Sequence, residues 1–198
     1  MTFRFWLSCG GWLHSGLSLS DPRATSHGMD NTLTLRRARP ADLDQVDRLL
    51  AASYPRLLKR DYAPSVMVLA LPLISKARPE LLASGRYFLA ESDEGRVVGA
   101  GGWSPASPLD GRSVDQTAHV RHVATHPNHL RTGIGAAIMG EVIVDCLRHG
   151  VRWLDCLSTR TAVPFYERLG FRVLHDIDVN LRPGIVFPAV RMMRQITP

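Results

Sequence analysis

The chain has 198 residues, with 24 Lys or Arg against 18 Asp or Glu for a formal net charge of +6, and it is 45% hydrophobic with eight His and three Cys. That length suits one domain, which buries roughly 70% of its unfolded surface, and the composition is too apolar and too evenly charged for a disordered, collagenous or coiled-coil chain. Cys9, Cys146 and Cys156 cannot close a disulfide framework and match no zinc-finger or zinc-ribbon spacing, which favours a reduced, cytoplasmic compartment.

Residues 1–28 show no sustained period and are rich in Ser, Gly and His. The apolar run after Arg4 is short and broken by Ser8 and a Gly pair, so it reads neither as a signal peptide nor as a membrane span. We expect an unstructured extension over residues 1–28 and one domain over residues 29–198.

Within that domain, Thr32–Ala38 alternates like a strand, and Pro40-Ala-Asp42 opens an amphipathic helix with Leu43, Val46, Leu49 and Leu50 on one face and Leu57 and Leu58 at its end. Pro64, Pro72 and Pro79 punctuate an apolar stretch over 64–84 that predicts one or two short helices. Arg86–Ser92 and Val97–Trp103 form a hairpin about the Asp93-Glu94-Gly95 turn, and Gly99, Gly101 and Gly102 in its second strand predict a close approach to that backbone.

A polar loop leads to a strand over Ala118–Thr125, the breaker His126-Pro127-Asn128, and a helix carrying Ile134, Ala137, Ile138, Val142 and Ile143 that stops at Gly150. A strand at Trp153–Leu157, a short helix near Thr161–Leu169 ending at Gly170, and strands at Phe171–Val179 and Ile185–Met193 about a Pro183-Gly184 turn complete a single mixed α/β sheet.

The segment from His119 to Met139 carries the clearest chemistry. A strand runs through a short loop into a helix whose first turn holds Gly133 and Gly135, with Arg131 and Thr132 just before it. Bare residues there expose unpaired amides at the positive end of the helix dipole, an anion cradle suited to a pyrophosphate. A Walker loop is excluded because no Gly-Lys-Ser/Thr is present. A dinucleotide fold is disfavoured, since Ile138 replaces the third glycine and residues 126–132 separate strand from helix. The second segment runs from Ser158 to Phe171, with Thr161 as the expected N-cap, Pro164 in the first turn, Gly170 as the stop and Tyr166 beside the Phe165/Leu169 pair.

In this order the two segments resemble the motifs of the GNAT superfamily of acyl-CoA-dependent N-acyltransferases, over about Leu33 to Met193. The phosphate motif Gln/Arg-x-x-Gly-x-Gly/Ala is read in Leu130-Arg-Thr-Gly133-Ile-Gly135, with Leu130 at the first position and Arg131 one place later. The later pattern Asn-x-x-Ala-x-x-Phe-Tyr-x-x-x-Gly-Phe is read from Thr159 to Phe171, with only the opening Asn replaced.

The resemblance implies an α/β (α+β) fold with a mixed, mostly antiparallel sheet splayed between its fourth and fifth strands and flanked by helices on both faces. It implies acetyl-CoA as co-substrate, no metal, and direct acetyl transfer to a primary amine of a small molecule or peptide. The amides of Arg131, Thr132, Gly133, Ile134, Gly135 and Ala136 would hold the pyrophosphate, and Val123, Ala124 and Thr125 would pair with the pantetheine arm, with Thr159 at a position that often contacts it. Tyr166 would protonate the leaving thiolate. Histone-acetylating members carry a Glu base where this chain has His119; an imidazole or a water chain would take the amine proton. Tyr54, Tyr87, Trp103 and Ser104 would wall the acceptor side, and the fold leaves room for a homodimer. His122 is expected on the face opposite His119 and against a helix, unless a bulge intervenes.

Two other functions fit the composition. A non-catalytic acyl-CoA-binding or regulatory module would keep the cradle without needing Tyr166. A nucleic-acid binder is disfavoured, because residues 1–28 hold +1 of the charge and the other +5 is scattered without a Lys/Arg block.

Overall fold

Residues 33–197 are described by a computed structural model of the chain; the expected extension lies outside them. β1 (Thr34–Arg37) is followed by a 3-10 turn at Pro40–Asp42 and by α1 (Leu43–Leu58), which buries Val46, Leu49, Leu50 and Leu58 as its spacing predicts. Prolines begin the next two helices, α2 (Pro64–Ile74) and α3 (Pro79–Ala83), at positions where a missing amide proton costs nothing. The hairpin strands are β2 (Tyr87–Glu91) and β3 (Val97–Ser104). After them come β4 (Thr117–Thr125), α4 (Ile134–Arg148), β5 (Trp153–Ser158), α5 (Val163–Arg168), β6 (Arg172–Arg182) and β7 (Ile185–Gln195).

The seven strands form one sheet in the order β1-β2-β3-β4-β5-β7-β6. Every pairing is antiparallel except β4 with β5, which run parallel over three rungs only, Thr117↔Trp153, Ala118↔Leu154 and His119↔Asp155. Beyond His119 and Asp155 the two strands part, giving the expected opening between the fourth and fifth strands. At one edge β1 has four residues; at the other β6 has eleven, and its ladder to β7 is interrupted at Val173/His175 and at Asn180/Arg182.

Helices cover both faces. Tyr87 and Leu89 of β2 pack with α1 and α3, while Phe88 and Ala90 point the other way, to the α4 side. The glycines of β3 account for how closely α4 sits: a Cβ at Gly99 would lie 2.8 Å from Ile138 Cδ1 and nearer still to Ile134, and one at Gly101 would lie 2.9 Å from Ile138 Cγ2. Gly102 plays a different part, its missing side chain making room for the Arg86 carbonyl and Tyr87.

β4 carries one more residue than β3 between the pairs Ala100↔Ala124 and Gly102↔Arg121, a bulge at His122 and Val123, with His122 at a φ of +46°. The extra residue reverses the alternation. Val120 packs on the α4 side, and Ala124, which strict parity would put with it, packs on the α1 side.

Gly99→Ala is expected to destabilise the fold by about 1–3 kcal/mol, because its methyl overlaps side chains that α4 cannot withdraw. Urea denaturation midpoints of the variant and wild type measure this.

Candidate active site

From the end of β4 the chain reaches α4 through a 3-10 turn at Pro127–His129. Arg131 and Gly133 both take positive φ, +62° and +84°; glycine adopts this freely as the helix N-cap, whereas Arg131 is a side-chain-bearing residue held there. No side chain caps α4, and its first internal hydrogen bond runs from the Ala137 amide to the Gly133 carbonyl at 2.9 Å. The amides of Ile134, Gly135 and Ala136 therefore have no helical partner at the positive end of a 15-residue helix. A Cβ at Gly135 would stand in tight contact with the Phe165 ring, 3.1 Å away.

A cleft of about 490 Å³ extends from this helix start into the opening between β4 and β5. Val120, His122, Val123, Ala124 and Thr125 line it from β4, and Cys156, Leu157 and Ser158 from β5. Tyr54 and Leu57 of α1 and Phe165 and Tyr166 of α5 close it further. Of the expected cofactor residues Val123, Ala124, Thr125, Arg131, Thr132, Gly133, Ile134, Gly135, Ala136 and Thr159, all but Thr132 line the cleft; the Thr132 hydroxyl donates to the His129 carbonyl at 2.7 Å.

Tyr166 is 5% exposed, and the rings of Phe165 and Phe171 stand edge-on to it at 5.0 and 5.2 Å. Burial, then the neighbouring Cys156, hold its phenol well above the ordinary tyrosine range, so it keeps its proton. Burial likewise pushes the Cys156 thiol up to about 12, leaving it a protonated core residue.

Thr161 is not the helix cap that its spacing suggests. It lies inside a 3-10 turn at Arg160–Ala162 that precedes α5, and its hydroxyl donates to Asp61 Oδ2 at 2.6 Å. Tyr62 stacks on Phe187 at 4.7 Å, donates to the Pro188 carbonyl at 3.0 Å and accepts from the Arg160 amide at 2.8 Å, tying the chain after α1 to β7 and to that turn.

Residues 83–173 match the family profile described as an acetyltransferase (GNAT) domain. Over those residues the chain matches a GNAT acetyltransferase domain. Solved structures agree with this fold. A GCN5-related N-acetyltransferase from Rhodopseudomonas palustris is 16% identical with a TM-score of 0.67, covering 86% of this chain and 100% of its own. The PaiA N-acetyltransferase from Thermoplasma acidophilum, in complex with coenzyme A, is 13% identical with a TM-score of 0.62, over 83% of this chain and 99% of its own. The ribosomal-protein-S18-alanine N-acetyltransferase from Escherichia coli is 16% identical with a TM-score of 0.57, over 84% and 96%. No curated protein matches the sequence.

On the seven-stranded sheet the remaining expected site residues divide between the two faces. Trp103 faces α4, 2% exposed, with its indole N–H donating to Asp145 Oδ2 at 2.9 Å; it belongs to the core and does not line the cleft. Tyr54 lines the cleft, whereas Tyr87 stands behind it and donates to the His122 carbonyl at 3.0 Å. Ser104 also stands off the cleft and accepts from Arg121 Nη1 at 2.9 Å.

His119 alternates with Ala118 and Val120, which pack toward α4, so it points to the opposite face and is not a lining residue. Its Nδ1 lies 3.3 Å from Asp155 Oδ2, and its Nε2 is buried without a partner. Arg191 Nη2 and Nε bind the same carboxylate at 3.0 and 3.2 Å. Burial works to raise the Asp155 carboxyl, but the hydrogen bonds from His119 and Arg191 and their charges outweigh it and hold it below the usual carboxylate value.

His122 is the functional-site candidate that strand parity alone misassigns: the bulge brings it to the cleft wall. Burial, then the charges of Arg121 and Arg78, lower its imidazole to about 4, so it is neutral near neutral pH. Among the described residues no group of three or more His, Cys, Asp or Glu is arranged to hold a metal ion, and no helix is long and apolar enough to cross a membrane.

A carboxyl held below its unfolded value contributes stability above that value and loses it as pH falls through the folded one. Asp155→Asn should therefore lower stability by about 2 kcal/mol near neutral pH and flatten the acid side of the stability–pH curve. This is less than the ~3–5 kcal/mol of a fully buried pair, since the Arg191 side chain is 35% exposed. Urea midpoints taken across the acid range test both effects.

Proposed function

We propose that this protein is an acetyl-CoA-dependent N-acetyltransferase that moves acetyl directly onto a primary amine of a small-molecule or peptide acceptor. The observation that carries this reading is one continuous cleft joining the unpaired amides at the start of α4 to the buried, protonated Tyr166. Its residues fit coenzyme A: bare Gly135 and the amides of Ile134–Ala136 suit a pyrophosphate, and the unpaired β4 edge at Val123–Thr125 suits an amide-bearing arm. The likeness to an N-acetyltransferase structure solved with coenzyme A is consistent with this.

When bound, the thioester supplies an activated acetyl carbon and a thiolate leaving group. Tyr166 Oη donates the proton that the departing sulfur takes up, and burial keeps that proton in place until then. On the opposite face, His119 Nε2 receives the amine proton, with Nδ1 held toward Asp155. The acceptor accordingly approaches from the α1 and α3 side. Tyr54 walls the cleft there, and Tyr87 fixes the bulge by bonding the His122 carbonyl. Cys146 and Cys156 are free and buried, which agrees with a reduced, cytoplasmic setting and with transfer that forms no enzyme thioester.

Purified protein, acetyl-CoA, a panel of amines and a thiol reagent provide the test. Amine-dependent thiol release should occur, and Tyr166→Phe should lower kcat by roughly 100-fold or more with little change in coenzyme A affinity. Gly135→Glu should abolish coenzyme A binding in a protein that keeps its circular-dichroism spectrum, because the carboxylate occupies the cradle. Coenzyme A binding without turnover on any amine would favour a non-catalytic acyl-CoA-binding module instead.

A further inference from the structure

Two half-buried arginines of this domain, Arg36 and Arg191, and the exposed Arg37 are matched by carboxylates. Arg36 bonds Asp42 and Glu91, Arg37 bonds Asp145, and Arg191 bonds Asp155. Half-buried Arg86, Arg194 and Arg121 have none among the described residues; Arg86 stacks on the Trp103 ring instead, and Arg121 differs from both in standing two residues from His119 on β4. It is half-buried in the middle of β4, and its one described hydrogen bond is to a neutral group, the Ser104 hydroxyl, at 2.9 Å. That hydroxyl in turn gives its own proton to the Ala106 carbonyl at 2.8 Å.

No described carboxylate lies within ion-pair distance of Arg121, and none of its nitrogens is both fully buried and unpartnered, so its other N–H groups reach solvent. The surroundings add positive charge. Arg78, at the start of α3, acts on both Arg121 and the neighbouring His122, and Glu80 is the one acid that offsets it at Arg121. A guanidinium drawn partly out of water and left without a counter-ion is costly to the fold, and a bound anion would relieve that cost.

The position of Arg121 identifies what that anion is attached to. Arg121 lies two residues beyond His119 on the same strand and before the bulge, so both side chains leave the same face. Two residues along a strand span about 7 Å. An amine and a carboxylate a few bonds apart bridge that span when each meets its partner at a hydrogen-bond distance of about 2.9 Å.

We propose that Arg121, braced by Ser104, is the specificity residue of the acceptor site, and that the acceptor is an amine bearing a carboxylate close to its amino group. This rests on the reading of the protein as an N-acetyltransferase with His119 at the amine. Arg121 takes no part in the proton transfers. The amine nitrogen bonds to the acetyl carbon as the carbon–sulfur bond breaks, its proton passes to His119 Nε2 and the thiolate takes one from Tyr166, while the carboxylate keeps its charge against the guanidinium throughout. Arg offers a planar fork of donors that matches a carboxylate in a way Lys does not.

The experiment compares free amino acids with their carboxamides and with aminoalkylphosphonates, using wild type, Arg121→Met and Arg121→Lys. Both kcat/KM and binding to the coenzyme A complex are read, the latter by calorimetry. In wild type, kcat/KM for amino acids should exceed that for their carboxamides by roughly tenfold or more, chiefly through KM. The two series should converge in Arg121→Met, and Arg121→Lys should recover part of the difference.

A preference for phosphonates over carboxylates would overturn the carboxylate assignment. Equal efficiency on acids and amides, or a preference that survives in Arg121→Met, would overturn the proposal while leaving the acetyltransferase reading intact. Carboxylate-dependent binding that Arg121→Met abolishes, without turnover, would support the anion site and refute the transferase reading. Absence of both binding and turnover for every carboxylate-bearing amine also counts against the proposal.

Discussion

The seat of α4 on β3 is the contact on which the rest of the site depends. Ile134 and Ile138 reach the strand where Gly99 and Gly101 leave no side chain in the way, so the helix lies closer to the sheet than any larger residue would allow. Ile134 is also the first residue of that helix. The same side chain that anchors the helix therefore sets the height at which its unpaired amides emerge above the sheet. Ser53 holds the other side of the opening, with its hydroxyl 2.7 Å from the Leu49 carbonyl of α1 and 3.0 Å from the Thr125 carbonyl at the end of β4.

The opening is produced by what each strand is already bonded to. β5 keeps its ladder to β7 through Ser158↔Val190, and β4 keeps its ladder to β3 through Gly99↔Thr125, so each strand follows its antiparallel partner and the parallel pair between them ends after three rungs. The last rung, His119↔Asp155, has a different character on each side. One residue further on, Val120 and Cys156 face the buried side with Tyr166, while His119 and Asp155 themselves face the side of the ionic groups. The two strands thus offer an apolar wall with one protonated phenol and a polar wall with charged groups, separated by the thickness of one sheet.

Much of this was legible in the residues. Apolar spacing identified α1 and α4, prolines marked the starts of α2 and α3, and the glycines of β3 announced a close neighbour because a strand tolerates them poorly without a packing reason. The nine cleft-lining cofactor positions follow from local chemistry, since a helix start with bare residues is an anion site wherever it occurs. Features set by distant partners were less accessible. The β4 bulge depends on register with β3, and it alters the facing of every residue after it, His122 first. Trp103 reads equally well as a wall or a core residue until Asp145, 42 positions away, takes its indole proton. Thr161 has the chemistry of a cap but is claimed by Asp61, 100 positions away. Arg121 looks like one more surface charge until the strand places it two residues from His119 on the same face.

The outer strand β6 carries a consequence for association. Eleven residues long and, among the described residues, paired on one side only, it would offer a template on which another extended chain could add hydrogen bonds. Its composition opposes that. Arg172, His175, Asp176, Asp178 and Arg182 interleave both signs of charge along it, and the two interruptions of its register bend it away from a flat edge. An incoming strand would meet like charges in some registers and a bent edge in place of a flat one, so this edge disfavours indiscriminate stacking.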